Sequence, residues 1–213
     1  MKSILTALFA CILVSAGAQN DPAAKSILDK VSAKFKTLKT VQAKYVLNVT
    51  NRAGKNAGKK SGSIYLKGTK YHITDASMEI TSDGKKIWKY EPDANEVTVS
   101  NVDNSSNSGL TPQKLFTNFY DKDFLYKLNG NKKVGNKTVA EIELTPTDKR
   151  KSFYKVYLYV DQAQQMIVSS KIYETSGNVY DYSITDMKVN QTLDDAMFTF
   201  DKAKHPGVDV ITQ

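Results

Sequence analysis

The sequence contains almost no cysteine. Its 213 residues include a single one, Cys11, which lies inside the apolar stretch from Ile4 to Val14. A disulfide needs two cysteines, so a disulfide-bonded scaffold is excluded, and so are zinc sites built from several thiolates. Lipid attachment at Cys11 is one interpretation of this region, but Phe9 fits the required motif poorly. Stability must come from a buried core, for which a chain of this length is sufficient.

Long hydrophobic runs are also lacking. The apolar stretch around Cys11 is too short to span a membrane. It follows the basic Lys2 and precedes Ala16-Gly17-Ala18, which matches the A-x-A pattern of a signal-peptide cleavage site. We therefore expect residues 1–18 to be a cleaved signal peptide and residues 19–213 to form one exported domain.

Histidine is scarce, and the motifs of catalysis are missing from the sequence. His72 and His205 are far apart, and no His, Cys and carboxylate cluster has metal-ligand spacing. Neither a nucleophilic serine motif nor a phosphate-binding glycine loop is present. The pair Asp194-Asp195 is typical of a helix cap. We expect no enzyme, no metal and no cofactor, and we expect His72 to point outward from its strand.

Acidic residues are outnumbered, because 30 lysines and arginines face 22 aspartates and glutamates, for a formal net charge of +8. The basic residues are spread along the chain, with a local excess at Arg52, Lys55, Lys59 and Lys60. Such an excess attracts an anionic membrane surface or an acidic partner, and it is equally typical of a solvated loop. Nucleic acid is not expected as a partner of an exported protein that lacks a basic-aromatic motif.

The first element expected after the signal peptide is an amphipathic helix. Asp21 suits the N-cap position and Pro22 the first helical position. Apolar residues then recur at helical spacing, at Ile27, Leu28, Val31, Phe35 and Leu38. The lysines of this segment fall outside the stripe, so the helix must lie on an apolar surface.

From Val41 onward, apolar residues alternate with polar ones, as in a strand with one buried face. This alternation predicts a strand over Val41–Val49. The segment Asn51–Gly62 is rich in Gly, Lys and Asn and is predicted to be an exposed connection. Short strands are expected next over Ser63–Lys67, Tyr71–Thr74 and Met78–Thr81.

The segment from Ser82 to Ser100 is predicted to be a β-hairpin that carries the only tryptophan. Trp88 and Tyr90 share one face of its first strand, since strand side chains alternate. Val97 and Val99 give the returning strand the same apolar side. The intervening Pro92-Asp93-Ala94-Asn95 has the residues that a tight reversal needs.

A second helix is predicted between the strands. The polar segment Asn101–Gly109 is expected to be a flexible loop, and Thr111-Pro112 provides a cap and a first helical residue. Large apolar side chains then fall on one side of a helix that Phe124 and Leu125 extend. These side chains belong to Leu115, Phe116 and Phe119. A helix inserted in this way is suited to act as a lid over the sheet.

After a predicted turn at Asn129-Gly130-Asn131, the pattern returns to strands. Four are expected, over Val139–Thr145, Phe153–Val160, Met166–Tyr173 and Val179–Val189. One helical turn over Asp194–Met197 and a last strand over Phe198–Phe200 follow. Hairpins in sequence with only two substantial helices indicate a mainly β (α+β) fold, in which a curved sheet or barrel has its concave side covered by the helices.

The apolar strand faces are candidates for the lining of a ligand cavity. Ordinary core is the simpler interpretation of the same residues. A curved sheet under a short helix nevertheless leaves a volume that suits long apolar ligands. The candidate lining residues are Tyr45, Leu47, Ile64, Leu66, Tyr71, Ile73, Met78, Ile80, Trp88, Tyr90, Val97 and Val99, with Leu115, Phe116 and Phe119 on the lid.

The hairpin around Trp88 resembles a known family. The run Asp83-Gly84-Lys85-Lys86-Ile87-Trp88-Lys89-Tyr90-Glu91-Pro92, followed by Val97-Thr98-Val99, is similar to the D-G-K-x-x-W-x-Y-x-P…V-T-V segment of the LolA family of periplasmic lipoprotein carriers. The tail also looks like that family's closing strand and F-x-F…P-x-G-V ending, at Phe198-Thr199-Phe200 and Pro206-Gly207-Val208. The likeness runs through the mature chain in order.

The resemblance implies an unclosed antiparallel β-barrel with an N-terminal helix and a helical lid over an apolar cavity. It implies a periplasmic carrier of acylated lipoproteins, which takes its cargo from an inner-membrane ABC transporter and delivers it to an outer-membrane receptor. We expect a monomer without catalysis. The alternative is a lipid-sensing regulatory domain of the same fold that acts on a membrane partner.

One departure from the family concerns the lid. Many relatives carry Lys-Arg-Pro after the second strand, with the arginine holding the lid closed. The matching positions in this chain are Lys67-Gly68-Thr69. The resemblance therefore implies a lid that is held differently, and mainly by apolar contacts.

Overall fold

The computed structural model describes residues 20–102 and 120–213. The expected signal peptide, the inserted lid helix and its residues Leu115, Phe116 and Phe119 lie outside the described residues.

The described chain forms one sheet of twelve strands. They are β1 Val41–Thr50, β2 Asn56–Lys67, β3 Lys70–Asp75, β4 Met78–Ser82, β5 Lys86–Glu91, β6 Glu96–Asn101, β7 Phe124–Val134, β8 Lys137–Pro146, β9 Phe153–Asp161, β10 Met166–Glu174, β11 Val179–Val189 and β12 Asp209–Thr212. Their spatial order is β12-β6-β5-β4-β3-β2-β1-β11-β10-β9-β8-β7. Neighbouring strands are antiparallel except β12 and β6, which are parallel. The sheet is curved, and within the described residues β12 and β7 form its two unpaired edges, so the predicted mainly β, unclosed barrel is confirmed.

Helix α1, Pro22–Thr37, begins as the sequence predicts. The carboxylate of Asp21 accepts hydrogen bonds from the amides of Ala23 and Ala24, at 2.8 and 3.4 Å. The same carboxylate accepts a bond from the amide of Leu128 in β7, at 2.9 Å. One side chain therefore caps the helix and attaches it to an edge strand.

The main core lies between α1 and the concave face of the sheet. Leu28, Val31 and Phe35 of the predicted apolar stripe are buried, and α1 contacts β7 and β10. Ile142 and Leu144 of β8 are completely buried in the same cluster. Because the amphipathic helix sits on the apolar strand faces, it removes both surfaces from water at once.

The segment predicted to be an exposed connection after β1 is largely strand. Residues 56–62 pair with residues 45–50 of β1, because backbone pairing needs no apolar side chains. The glycine content favoured a loop, but Gly62 is needed inside the strand. A Cβ there would come within 2.1 Å of the Thr74 carbonyl oxygen and 2.6 Å of the Tyr45 ring. Glycine permits this close approach of β1, β2 and β3.

The predictions around β7 were wrong in two places. Phe124 and Leu125 do not extend a helix: the short helix α2, Tyr120–Asp123, ends just before them and β7 begins. The predicted turn at Asn129-Gly130-Asn131 lies inside β7. The register against β8 shifts between Leu128 and Gly130, and Gly130 has a φ of 98°. The turn-forming residues produce an irregularity in a continuous strand instead of a reversal.

The C-terminal segment covers the outer face of the Trp88 hairpin. Phe198 ends a 3₁₀ turn over Asp195–Phe198 and is fully buried, so the strand predicted over Phe198–Phe200 is wrong. After a second 3₁₀ turn, Lys202–Lys204, the chain adds β12 to the edge of the sheet. A face that carries Trp88 thus obtains its cover from the end of the chain.

Candidate functional site

An apolar cavity of about 590 Å³ lies on the concave face. Strands β1 to β4 form one wall, strands β8 to β11 form the other, and Phe35 of α1 closes part of it. Eight of the predicted residues line it, namely Tyr45, Leu47, Ile64, Leu66, Tyr71, Ile73, Met78 and Ile80. They come together because alternate positions on neighbouring antiparallel strands share one face.

The second wall was missed by the prediction of site residues. Leu144, Val156, Leu158, Ile167, Ile172, Tyr180, Tyr182, Ile184 and Met187 also line the cavity. Their strands were predicted, and Val156 and Leu158 alternate with Tyr157 and Tyr159 as a half-buried strand should. The signal was therefore present, but nothing in the sequence indicated that these strands face β1 to β4 across a shared space.

Trp88, Tyr90, Val97 and Val99 do not line the cavity, and this corrects the prediction for all four. Ile80, which does line it, pairs with Lys89, whereas Trp88 pairs with Thr81. Directly paired residues share a face, so Trp88 and Tyr90 point to the opposite side of the sheet, together with Val99 and Val97.

On that opposite side, Tyr90 and Val97 are packed against the C-terminal segment or buried, and Trp88 and Val99 are half-buried. The ring of Tyr90 lies 5.6 Å from that of Phe200 and 4.3 Å from that of His205, and Val97 is 1% exposed. The hairpin that carries the family resemblance therefore continues the sheet beside β4, outside the cavity lining.

As far as the described residues show, the cavity opens at one end. Val41, Leu66 and Tyr71 are buried at the end where β1 begins. At the other end, Lys60 is exposed and Met78 is partly exposed. The mouth therefore lies beside the turns that join β1 to β2, β3 to β4 and β10 to β11.

A small polar group stands at this mouth. The Lys60 ammonium donates to the Ser77 hydroxyl at 2.7 Å, and that hydroxyl donates to the Asp75 carboxylate at 2.8 Å. Burial raises the pKa of Tyr45 to about 12, and the neighbouring Asp75 adds to the effect. Burial alone would raise the pKa of Asp75, but hydrogen bonds from Ser77 and the charge of Lys60 outweigh it and lower that pKa. Asp75 is therefore ionised and hydrogen-bonded at neutral pH.

His72 points away from the cavity. Its Nδ1 lies 3.0 Å from the Thr81 hydroxyl, and its ring lies 5.8 Å from that of Tyr65. Burial lowers the pKa of His72 despite the nearby Glu79. The imidazole is a packed, neutral side chain on the outer face at neutral pH.

The turn that departs from the family pattern holds the C-terminal segment. Gly68 occupies a left-handed position with a φ of 59°, which suits glycine in a tight turn. The flanking Lys67 and Lys70 reach Asp195 at 3.2 and 2.9 Å, and Lys67 also donates to the Leu193 carbonyl at 3.0 Å. Glycine provides the turn, and the lysines on either side of it attach the tail to the outer face.

The lining suits an apolar chain. The lining includes one lysine, Lys60, and one carboxylate, Asp75, and both lie at the mouth. Most of the remaining lining residues are aliphatic or tyrosine. Among the residues described, no group of His, Cys, Asp and Glu is arranged to hold a metal ion. Within the same residues, no helix is long and apolar enough to cross a membrane.

Comparison with known proteins identifies one family. The model of the outer membrane lipoprotein carrier protein LolA matches residues 36–201. An outer-membrane lipoprotein carrier protein of Pseudomonas aeruginosa is 26% identical to this chain, with 100% of both chains covered.

Solved structures share the fold. An uncharacterized conserved protein from Thermus thermophilus superposes with a TM-score of 0.58 at 14% identity, covering 90% of this chain and 99% of that chain. The lipoprotein LppX of Mycobacterium tuberculosis gives a TM-score of 0.50 at 16% identity, covering 82% and 99%. At such identities these structures support the curved-sheet fold alone.

Proposed function

Because the chain belongs to the LolA family of outer membrane lipoprotein carrier proteins, we propose that it is a periplasmic carrier of acylated lipoproteins. In this proposal the protein is exported with its signal peptide removed. It binds lipoprotein acyl chains without catalysis and moves them through the aqueous periplasm from the inner to the outer membrane.

The observation that carries this proposal is the apolar cavity of about 590 Å³. A methylene group takes up about 30 Å³, the volume that a water molecule occupies in the liquid. The cavity therefore has room for about 20 methylenes, or one long acyl chain. Each buried methylene is worth about 0.8 kcal/mol. A single acyl chain binds membranes with an association constant of only about 10⁴ M⁻¹, so a cavity of this size competes with the bilayer for one chain.

The exchange of cargo requires a donor and an acceptor. The family likeness supports an inner-membrane ABC transporter as donor and an outer-membrane receptor as acceptor, and we propose that the carrier acts as a monomer between them. A partly open mouth suits this role, because an acyl chain must enter and leave through the same end.

The proposal is tested by lipoprotein release from inner-membrane vesicles, followed by mass spectrometry of what the purified protein retains. Ile64→Asp places a charge in the cavity, and we expect it to abolish release and retention. Ser63→Asp is the matched control, because Ser63 precedes Ile64 on β2 and faces the other side, beside Lys44. Circular dichroism must show that both variants fold.

The outcomes separate the carrier from its alternative. Release by the unaltered protein and by Ser63→Asp, but not by Ile64→Asp, supports the carrier. Retention of a native lipid without any release of lipoprotein would contradict it and favour the lipid-sensing domain. Absence of both would show that the cavity has no role in acyl-chain binding.

A further inference from the structure

Three turns meet beside the mouth of the cavity. The amide and hydroxyl of Thr175, in the β10–β11 turn, donate to the carbonyl of Ser152 in the β8–β9 turn at 2.8 and 3.0 Å. On its other side, Gly177 lies against the β1–β2 turn, so closely that a Cβ there would come within 2.8 Å of Arg52 Cγ. These contacts make the three turns a continuous edge.

This edge is strongly basic. We call it the basic rim and define it by Arg52, Lys55, Lys59, Lys60, Lys149 and Arg150, all of which are exposed. Four carboxylates accompany them. Asp148 pairs with Arg150 at 2.9 Å, Glu174 accepts from Ser176, and Asp75 is held at the mouth by Ser77. Asp123 lies beside the β8–β9 turn, where its backbone carbonyl accepts from the Thr147 amide at 3.0 Å. Lys55, Lys59 and Lys149 form no ion pair with any other described residue, so their charges are available to a partner.

An exposed aromatic side chain stands at the same end. Tyr154 is 52% exposed, directly follows Phe153, which pairs with Glu174, and has its ring 6.1 Å from that of Tyr173. A half-exposed tyrosine, with an apolar ring and a polar hydroxyl, suits the boundary between lipid and water.

We propose that the basic rim docks on an anionic phospholipid surface, with the mouth of the cavity turned toward the bilayer. Lysines without an ion pair, spread along an edge, are arranged to contact many headgroup phosphates at once. Each lysine adds to the electrostatic attraction between the protein and the anionic surface. Tyr154 gives the edge an interfacial anchor that a purely electrostatic contact with an acidic protein does not need. The inference rests on the proposed function, because it places the acyl-chain cavity where the chains are exchanged.

The docking is one-sided. At the same end of the sheet, Asp93 and Glu96 lie in and beside the turn between β5 and β6, beyond β4 and away from the rim, whereas the neighbouring Glu91 is paired with Lys89 at 2.6 Å. An anionic surface repels this turn. The charges therefore tilt the protein so that β1, β2 and β8 to β11 approach the membrane first.

The test is sedimentation of the full mature protein with vesicles. We compare vesicles of phosphatidylglycerol and phosphatidylethanolamine with vesicles of phosphatidylcholine, at low salt and at about 1 M salt, where charge interactions are screened within about 3 Å. K55E/K149E alters two of the three turns. K85E/K86E is the control, because it changes the net charge equally at the opposite end of the sheet, where β5 begins.

We expect binding to anionic vesicles only, loss of binding in high salt, and at least about tenfold weaker binding for K55E/K149E. We expect K85E/K86E to lose much less, and Tyr154→Ala to lose a smaller part than K55E/K149E. Equal losses for the two double variants would overturn the proposal, since net charge alone would then explain binding. Failure of the unaltered protein to sediment would also overturn it and leave an acidic protein as the partner that fits the rim.

A parallel titration with a fluorescent fatty acid in solution keeps this proposal separate from the carrier function. We expect K55E/K149E to bind the fatty acid as the unaltered protein does. Fatty-acid binding without vesicle docking would overturn the docking proposal alone, whereas vesicle docking without fatty-acid binding would contradict the carrier alone.

Discussion

The two halves of the concave face have the same alternation of apolar residues, but their apolar side chains differ in burial. Beneath α1, apolar residues of β8 and β9 that do not line the cavity, such as Ile142 and Val160, are completely buried. Beyond the helix, Ile73 of β3, Ile80 of β4 and Ile172 of β10 point to the same side and stay partly exposed around the cavity. Alternating apolar residues therefore create a face but do not decide what covers it.

The difference follows from the length of the helix. The 16 residues of α1 extend about 24 Å, which equals the width of about five strands spaced about 4.8 Å apart. The sheet has twelve. Among the described residues, this one amphipathic helix fills part of the concavity as core and leaves the rest as the apolar cavity.

The largest expected difference between the halves is in stability. Ile142→Ala, in the filled half, should lower the free energy of unfolding by about 2–5 kcal/mol, because it leaves a hole in close-packed core. Ile73→Ala, in the open half, should cost about 1 kcal/mol or less, because its side chain is already partly hydrated. Urea unfolding measures both, and equal losses would mean that the cavity is as tightly packed as the core.

A ligand that fills the open half should stabilise the whole protein. An acylated peptide at about 100 times its dissociation constant should raise the free energy of unfolding by about 2.7 kcal/mol. Ile64→Asp should abolish this gain, whereas Ser63→Asp should keep it. Thermal unfolding with and without the peptide measures the effect. A full gain in Ile64→Asp would move the binding site out of the cavity.

The attachment of α1 to β7 gives a smaller effect that depends on pH. Asp21→Ala should cost about 1–2 kcal/mol as a lost cap, and Asp21→Asn should lose less because it still accepts hydrogen bonds.

The hydrogen bond from the Leu128 amide is the main cause that lowers the pKa of Asp21. Its stabilisation is thus present above about pH 3.9 and lost as the pH falls through the folded value. Unfolding measured from pH 6 downward should therefore be less acid-sensitive in Asp21→Asn, and an unchanged acid sensitivity would assign no such role to this carboxylate.

The smallest effect is expected at Trp88. Its side chain lies on the face opposite the cavity, so an acyl ligand should leave its fluorescence emission nearly unchanged. A Trp88→Phe/Ile73→Trp double variant should instead shift its emission on binding, because residue 73 lines the cavity. A strong ligand-induced shift of Trp88 itself would show that binding rearranges the β4–β5 pairing.

The local elements follow from signals that lie within a few residues of one another in the sequence. Asp21 and Pro22 begin α1 where capping chemistry requires it, and the alternation from Val41 onward produces β1 with its buried inner positions. Turn residues at Pro92–Asn95 reverse the chain, with Asn95 at a φ of 49°. The mainly β class and eight of the cavity residues follow from these local patterns.

Which apolar face of a strand is the inner one depends on contacts between distant parts of the chain. Trp88 and Ile80 both stand on alternating strands, yet the pairing of Trp88 with Thr81 sends them to opposite sides of the sheet. The C-terminal segment then supplies Phe200 and His205 to cover the face of Tyr90, although they lie more than a hundred residues away in sequence. Alternation fixes two faces for every strand, but hydrogen-bond register and distant covering segments choose between them, and neither is encoded within a single strand.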